Sequence, residues 1–446
     1  MKIERYPAYK DSGVEWLGDV PEHWKLQRLK DIKANIPNSF VDGPFGSNLK
    51  TEHFIENGEV YVIDSGYITS GQFEIKREFK TISNEHFLTV NRSQCSQNDI
   101  IISKIGANFG MSGILPLLDK PSLISGNTLK LTINRKLYNL KFIHYQLLNL
   151  KINGAFDVLV KGSAQPALSM GLLNPLPFPI PPLSEQKTIA HYLDTKTAQI
   201  DRKIDLLTQK ATLYSTLKQS LINETVTRGL DKTVPMKDSG VKWIGEVPEH
   251  WKVTAIANIT TTVSIKNYPD EELLSVYRDY GVIIKNTRDD NHNKAGQNLD
   301  SYKLVEPGYL VINKMKAWQG SLGVSEFRGI VSPAYITCRT DKRIIERGYL
   351  HHLLRCRTYI NEYNRLSYGV RVDQWDMRYD DFKYVPVLLP PLSEQKTIAD
   401  YLDTKTAKID QIIQTINTQI EKLKELRKTL INDVVTGKIK VVENEY

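Results

Sequence analysis

Several kinds of chemistry are excluded by what the sequence has little of. Its 446 residues include only three cysteines, Cys95, Cys338 and Cys356, and no two of them form a C-x-x-C pair. A disulfide framework and a cysteine-based zinc site are therefore not expected, and a reducing compartment is the default. No run of 18 apolar residues occurs, so we predict no membrane span. The first residues lack the apolar stretch of a secretory signal, and we expect a cytoplasmic chain.

The recognisable motifs of catalysis are also missing. There is no phosphate-binding G-x-x-x-x-G-K-[ST] loop, no G-x-G-x-x-G after a strand and no H-E-x-x-H. Asn174-Pro175-Leu176-Pro177 lacks the adjacent prolines and the aromatic residue of an amino-methyltransferase motif. Asp64 with Glu74 and Lys76 loosely resembles a nuclease metal site, which we interpret as a chance pattern. We predict no catalytic site and no bound metal in this chain.

What the sequence does have is a moderate excess of positive charge. Lys and Arg number 59 against 51 Asp and Glu, which gives a net charge of +8. Such an excess favours an acidic partner, with nucleic acid first among the candidates. The length suggests two to three domains, and the 41% of hydrophobic residues is typical of a globular protein with real cores.

Two segments of the chain occur twice. Residues 10–25 (KDSGVEWLGDVPEHWK) return at 237–252 as KDSGVKWIGEVPEHWK, and residues 181–201 return at 390–410 with 19 of 21 positions identical. The offset is 227 residues for the first pair and 209 for the second. The chain is therefore two copies of one plan: a short preamble, a long variable segment and a near-identical segment.

The second repeated segment opens a long helix in each copy. Ser184 has the chemistry of an N-cap after a proline pair, and apolar residues then recur at spacings of three and four. Neither glycine nor proline interrupts 184–228 or 393–436, which predicts two long helices. The predicted apolar seams include Leu193, Ile200, Ile204 and Leu207 in the first helix and Leu402, Ile409, Ile413 and Ile416 in the second. Two matched seams favour a coiled coil over helices packed on separate cores.

Chain order predicts the direction of this pairing. A helix of about 42 residues is ~60 Å long. The dozen or so residues at 230–241 span at most ~40 Å, so the chain cannot return along the first helix. The second helix must then run antiparallel. The predicted fold class is α+β, with two mixed α/β domains separated by an antiparallel two-helix coiled coil and an internal pseudo-two-fold repeat.

The repeats also predict the domain boundaries and the joints. The predicted parts are a first domain at 1–180, a first helical spacer at 181–229, a second domain at 230–389 and a second spacer at 390–446. We interpret the repeated P-E-H-W, with Trp16, Trp24, Trp243 and Trp251, as packing that fixes each domain to its helix. The alternative is a docking surface for another protein.

The first variable segment contains loops suited to contact DNA. Asp42–Lys50 reads DGPFGSNLK, in which backbone donors, Ser, Asn and Lys could approach phosphates and base edges. A plain surface turn is the alternative. Before the first long helix, K-G-S-A-Q-P at 161–166 joins a flexible glycine to a donor that can read a base. The candidate residues are Gly46, Ser47, Asn48, Lys50, Lys104, Lys161, Ser163 and Gln165.

The second variable segment offers a different set. Y-G-V-R-V-D-Q at 368–374 occupies the matching place before the second long helix. The K-M-K-A-W-Q cluster at 314–319 is either a basic and aromatic contact surface or a strand edge with a buried Trp. The candidate residues are Lys314, Lys316, Trp318, Gln319, Tyr368, Arg371 and Gln374.

Taken together, these motifs resemble the specificity subunit of type I restriction-modification enzymes. The resemblance rests on the doubled K-D-S-G-x-x-W-x-G-x-x-P-x-H-W preamble, the doubled P-P-L-S-E-Q-K helix start and the D-G-P-F-G-S loop, and it covers the whole chain. The second variable segment lacks the D-G-P-F-G-S loop, so the role of that loop is carried over to the first copy alone.

The resemblance implies a function and a set of partners. Each variable domain would read one half of a split target in double-stranded DNA, and the paired helices would set the spacing and bind two methyltransferase subunits. Motor-nuclease subunits would join through the methyltransferase subunits. S-adenosylmethionine, ATP and Mg²⁺ would be used by those other subunits, with no cofactor in this chain. The alternatives left open are a system whose partner fuses nuclease and methyltransferase, and a coiled-coil adaptor that binds no DNA.

Overall fold

The computed structural model describes residues 2–106, 108–160, 166–287, 298–369 and 375–442. They form two compact units, Met1–Leu206 with Gln419–Tyr446 and Leu207–Thr418. The boundary between the units falls inside both long helices. The predicted fold class is confirmed as a mixture of helix and sheet with two domains and two long helices. The domain boundaries at 181, 230 and 390 stay a prediction.

The elements are named in chain order. The helices are α1 (Leu29–Ile32), α2 (Asn84–Val90), α3 (Leu140–Ile152), α4 (Ala155–Leu159), α5 (Met170–Leu173), α6 (Leu183–Arg228), α7 (Ile256–Ile259), α8 (Arg347–Arg355), α9 (Arg357–Leu366), α10 (Tyr379–Phe382) and α11 (Leu392–Val435). Short 3₁₀ helices lie at Thr51–His53, Ser65–Tyr67, Asn91–Ser93, Lys285–Thr287 and Lys314–Gln319.

The strands are short throughout. Those before the first long helix are β1 (Lys2–Glu4), β2 (Tyr9–Asp11), β3 (Asp19–Pro21), β4 (Lys25–Arg28), β5 (Phe40–Asp42), β6 (Val60–Ile63), β7 (Ile68–Thr69), β8 (Gln72–Phe73), β9 (Lys80–Ile82), β10 (Gln94–Cys95), β11 (Ile100–Ser103), β12 (Ser112–Ile114), β13 (Ser122–Ile124), β14 (Thr128–Leu131) and β15 (Pro177–Ile180). Those after it are β16 (Met236–Asp238), β17 (Glu246–Pro248), β18 (Lys252–Ala255), β19 (Thr260–Thr262), β20 (Leu274–Tyr277), β21 (Gly281–Ile284), β22 (Lys303–Val305), β23 (Tyr309–Ile312), β24 (Leu322–Val324), β25 (Gly329–Val331), β26 (Ile336–Thr340), β27 (Pro386–Leu389) and β28 (Lys440–Val442).

Each unit is built on a four-stranded antiparallel sheet with the same strand order. The order is β12-β11-β14-β5 in the first unit and β24-β23-β26-β19 in the second. The central strands are runs of apolar residues, and Ile100 and Leu310 are both fully buried. Such runs are typical of strands covered on both faces. A helix covers each sheet, α3 through Phe142 and α8 through Tyr349, and both side chains are fully buried.

A second layer of strands differs more between the units. In the first unit it is a sheet of order β10-β13-β6-β9, in which β13 and β6 run parallel. In the second unit the pairs β22-β25 and β20-β21 replace it, and one parallel bridge joins Leu273 to Ile330. Both layers have four strands in the described residues, joined into one sheet in the first unit and into two pairs in the second.

Within each unit the two long-helix segments run antiparallel. In the first unit, Leu193 of α6 shares a core with Val434 of α11, and Asp201 further along α6 lies 3.0 Å from Arg427. As one number rises the other falls, which defines the antiparallel direction. In the second unit, Val226 shares a core with Leu402, and Lys218 lies 2.6 Å from Asp410.

The predicted seam residues lie on the protected side of the helices to different degrees. Leu193, Leu402, Ile409 and Ile416 are buried, whereas Ile200, Ile204, Leu207 and Ile413 are half-buried. Leu217, which follows the same apolar spacing in the first long helix, is 53% exposed, so burial along the seam is uneven.

The repeated preamble docks on the start of the long helix through one carboxylate. In the first unit Glu185 accepts hydrogen bonds from Trp24 Nε1 at 3.2 Å and from Tyr6, and its other oxygen lies 2.9 Å from His23 Nε2. In the second unit Glu394 accepts from Trp251 at 3.1 Å and lies 2.7 Å from a histidine, His250. The predicted packing of P-E-H-W is confirmed.

The other tryptophans of the preamble do not all join this packing. Trp243 is packed edge-on against Tyr359 with ring centroids 5.1 Å apart. Trp16 is 42% exposed, so its predicted role in the joint was wrong. Its preamble turn reaches solvent there, which leaves the ring without a core to enter.

The next residue of each helix, a buried glutamine, makes the second joint. Gln186 accepts from the Asn139 backbone N–H at 2.8 Å and donates to the Pro181 carbonyl at 2.9 Å. Gln395 accepts from the Glu346 N–H at 2.8 Å and donates to the Pro390 carbonyl at 2.9 Å. Both glutamines are 1% exposed, so these bonds replace water completely.

Candidate nucleic-acid interface

The glycine-rich loop of the first unit is held down at its beginning and open at its tip. A Cβ atom on Gly43 would lie 1.9 Å from the Ser125 carbonyl oxygen, and one on Gly126 would lie 2.7 Å from the Pro44 carbonyl. The two backbone segments therefore pack directly on each other, which requires glycine. Phe45, the next residue, is 63% exposed. The loop thus presents an aromatic ring from a fixed base.

A cationic side chain lies beside this ring. Lys104 Nζ is 5.3 Å from the centre of the Phe45 ring and 3.9 Å from Asp42 Oδ2. Arg92 also approaches Asp42, at 3.3 Å. The loop base therefore gathers two cations and one carboxylate around an exposed aromatic ring, an arrangement suited to a phosphate or a base edge.

The other predicted loop residues are exposed. Gly46 has open space around it, and Ser47 Oγ lies 3.4 Å from Asn48 Oδ1. Lys50 forms an ion pair with Glu52 at 3.4 Å. The structure therefore brings Gly46, Ser47, Asn48, Lys50 and Lys104 to one edge of the first unit.

In the second unit the 3₁₀ helix Lys314–Gln319 follows β23, the strand that corresponds to β11, so Lys314 takes the place of Lys104. Lys314 Nζ lies 3.2 Å from Asp376 Oδ2. Trp318 packs on Trp375 with ring centroids 5.1 Å apart, and its Nε1 is buried without a hydrogen-bond partner in the described part of the chain. Lys316 is exposed and Gln319 is half-buried.

Tyr368 belongs to the same cluster. Its backbone pairs with that of Asp376, with hydrogen bonds of 3.3 and 3.0 Å. Its ring is 47% exposed and lies under the Arg378 guanidinium, whose carbon is 4.9 Å from the ring centre. Lys314, Trp318 and Tyr368 are thus brought together around Trp375 and Asp376.

The remaining candidates fall outside the described residues. They are Lys161, Ser163, Gln165, Arg371 and Gln374. The described residues that follow those stretches make matching contacts: Leu168 N–H donates to the Lys104 carbonyl and Met377 N–H to the Lys314 carbonyl, both at 3.0 Å. Leu168 and Met377 are fully buried.

Sequence reasoning missed several residues of these two clusters. Arg92 and Arg378 each lie beside a predicted residue, as does Trp375. Trp375 and Arg378 directly follow the segment 368–374, so extending that segment by four residues would have included them. Arg92 carries no sequence signal, because it comes to Asp42 from a separate helix end.

The candidate metal site and the three thiols can be checked in the described residues. No group of three or more His, Cys, Asp or Glu that could hold a metal ion is found among them. Asp64, the acidic residue of the loose nuclease pattern, accepts hydrogen bonds from Arg77 Nη2 on its two oxygens, at 2.5 and 2.6 Å. The three cysteines are free, and burial raises the pKa of each thiol to about 12. No helix in the described ranges is long and apolar enough to cross a bilayer.

Comparison with known proteins places the chain in a family. The profile of the type I restriction modification DNA specificity domain matches residues 21–211 and 248–422, one copy in each half. The chain is 25% identical over 445 residues to the type I restriction enzyme MjaVIII specificity subunit of Methanocaldococcus jannaschii, covering 95% of this chain and 94% of that protein. The putative MjaX specificity subunit of the same organism is 23% identical and is covered to 96%.

Solved structures share the fold. A chain from a type I restriction-modification system, solved in a study of complex assembly and conformational transition, superposes with a TM-score of 0.65 at 16% identity and covers 93% of this chain. The HsdS subunit of Thermoanaerobacter tengcongensis gives a TM-score of 0.50 at 16% identity and covers 94%. The chain belongs to the family of type I restriction-modification DNA specificity subunits, and its role is DNA recognition.

Proposed function

We propose that this chain recognises a split and asymmetric DNA target, one half through each unit, and carries no catalytic step itself. The observation that carries this proposal is a contrast between two parts of each unit. One part is the joint between domain and long helix, called the frame, and the other is the exposed cluster of cations and aromatic rings, called the interface. The anchoring carboxylates and glutamines, Glu185-Gln186 and Glu394-Gln395, make the same bonds in both units. The exposed cation and aromatic clusters differ in sequence and in backbone.

The chemistry of the two clusters supports a division of roles. Exposed lysines such as Lys50 and Lys316 would neutralise phosphates, which adds affinity without sequence preference. Side chains with paired donors, Arg371 and Gln374 in the second unit and Gln165 in the first, would read base edges in the major groove. Phe45 and Tyr368 offer exposed rings for contact with a thymine methyl group or a sugar.

The rest of the proposed assembly follows the family. The domains at 1–180 and 230–389 would read DNA, and the helical spacers at 181–229 and 390–446 would set the gap between half-sites and bind two methyltransferase subunits. Motor-nuclease subunits would join through them. S-adenosylmethionine, ATP and Mg²⁺ would act in those subunits, in the cytoplasm. The start of the long helices at Leu183 and Leu392 supports these boundaries.

The test is a reconstitution followed by methylome mapping. The chain is expressed with its methyltransferase subunits in a host without methylation, and modified bases are mapped by long-read sequencing. We expect one motif of two unlike halves with a fixed gap. Exchange of residues 26–180 for those of another family member should change one half only, and a change in both halves would contradict independent reading.

Controls separate this proposal from its alternatives. The purified chain alone should neither methylate nor cleave DNA nor hydrolyse ATP. Methylation by the chain alone would overturn the non-catalytic role. Absence of salt-dependent DNA binding by the assembled complex would favour an adaptor, and cleavage with a single partner polypeptide would favour a fused nuclease-methyltransferase.

A further inference from the structure

The loop Phe45–Lys50 is named the recognition loop. Two histidines from different segments hold its second half. His86 of α2 places its Nε2 2.9 Å from the Asn48 carbonyl oxygen. His53 of the 3₁₀ helix Thr51–His53 accepts the Lys50 backbone N–H on its Nδ1 at 3.0 Å. The two imidazole rings stack with centroids 3.8 Å apart and planes inclined by 30°.

The partners of the two rings define where each ring proton must lie. A carbonyl oxygen only accepts, so His86 Nε2 must carry the proton it donates to Asn48. A backbone amide only donates, so His53 Nδ1 must be bare to receive Lys50. His86 is therefore the donor that fixes the Asn48 carbonyl, and His53 is the acceptor that fixes the Lys50 amide. These two loop groups lie two residues apart.

Both rings stand on a fixed support. The Ser83 hydroxyl caps α2 by accepting the His86 backbone N–H at 3.1 Å. Leu49 and Phe54, which flank the attachment points, pack against a core that includes the buried Val60 and Ile82. The support leaves Phe45, Gly46, Ser47 and Asn48 exposed to solvent.

The described part of the second unit has no such pair. Its described histidines are His250, bonded to Glu394, and the neighbours His351 and His352 on α8. The histidine pair thus accompanies a loop whose D-G-P-F-G-S sequence the second variable segment lacks.

We propose that His53 and His86 are positioning residues that set the path of the recognition loop and thereby the bases read in the first half of the target. They act through the Asn48 carbonyl and the Lys50 amide and do not touch the DNA themselves. This inference rests on the proposed function, in which the first unit reads DNA through this loop.

Amide side chains offer a test that separates hydrogen bonding from ring packing. The Oδ1 of asparagine can take the place of histidine Nδ1, and the Nε2 of glutamine that of histidine Nε2. His53→Asn and His86→Gln therefore keep the bond to the loop, whereas His53→Gln and His86→Asn lose it. Each position supplies its own matched control, because both replacements remove the ring.

The measurement is binding of the assembled complex to three duplexes: the mapped target, a target with the first half scrambled, and one with the second half scrambled. We expect His53→Gln and His86→Asn to lose about tenfold in discrimination of the first half. His53→Asn and His86→Gln should stay within about threefold of the natural chain. Discrimination of the second half should be unchanged in all four, which shows that the chain is folded.

Two outcomes would overturn the inference. One is equal discrimination of the first half by all four variants, whether retained or lost, because the loop bonds would then not matter beyond the rings. The other is a loss confined to His53→Asn and His86→Gln. If the natural chain itself discriminates neither half, the proposed function fails rather than the role of the histidines.

Discussion

Glu185 in the first unit and Glu394 in the second accept the same bond from the repeated tryptophan, whereas the D-G-P-F-G-S sequence of the first loop does not recur in the second variable segment. The frame repeats because each copy has a domain that must be fixed to the start of its own long helix. Under the proposed function the interface differs because each copy reads its own half of the target. Identity between the two halves of the chain would then mark support, and difference would mark recognition.

The largest expected effect comes from removing the buried tryptophan of each frame, which tests whether the two frames contribute equally to stability. Trp24 and Trp251 are fully buried, so Trp24→Ala and Trp251→Ala should each lower the free energy of unfolding of their own unit by ~3–5 kcal/mol. Urea denaturation gives the loss, and limited proteolysis with peptide mapping shows which unit opens. Trp16→Ala is the control, since Trp16 is 42% exposed. A loss in only one of the two variants would break the equivalence of the frames.

A smaller effect tests the base of the recognition loop. Gly43→Ala places a methyl group 1.9 Å from the Ser125 carbonyl oxygen, so the backbone must move, at a cost of ~1–3 kcal/mol in unfolding free energy. Discrimination of the first half-site should fall and that of the second should not. Gly46→Ala, in open space three residues later, should leave the free energy of unfolding close to that of the natural chain. Unchanged discrimination of the first half-site by Gly43→Ala would remove the loop base from the interface.

The second unit is tested by a base-reading candidate. Arg371→Ala should cost ~1–3 kcal/mol of discrimination within the second half-site and leave the first half untouched. Competition binding with single base-pair changes measures this. Equal weakening on specific and random duplexes would assign Arg371 to the phosphates instead.

The smallest effect concerns the exposed lysines of both units. Lys316→Ala should weaken binding to every sequence alike and lower the slope of log affinity against log salt by about one. Lys50→Ala should act in the same direction but more weakly, because Lys50 already forms an ion pair with Glu52 at 3.4 Å. Binding isotherms at several salt concentrations decide both. A larger change for Lys50 would show that this pair opens on DNA.

Much of the frame could be predicted because its signals are local. Long apolar periodicity without glycine or proline predicted helices at 184–228 and 393–436, and the structure has Leu183–Arg228 and Leu392–Val435. Gly229 directly follows the first helix and has a φ of +76°, the left-handed conformation in which glycine commonly ends a helix. Helix ends depend on neighbours in the chain, which a sequence displays directly.

The recognition clusters could be predicted only in part, since they are made by contacts distant in sequence. The composition of Asp42–Lys50 pointed to an exposed loop, but not to its contact with Ser125 or to the histidines at 53 and 86. Trp318 and Trp375 lie 57 positions apart, and their rings are in contact only in the folded chain. No local sequence pattern predicts contacts between residues so far apart in the chain.

The pairing of β1 with β28 gives the first unit a mechanical weakness. The strands are antiparallel, and Lys2 lies opposite Val442 while Glu4 lies opposite Lys440. Tension applied between residues 2 and 442 would therefore load one residue pair at a time, as in unzipping, rather than all pairs together as in shear. In a force-extension experiment this strand pair should open first and at low force, before the buried joint at Trp24 and Glu185 begins to yield.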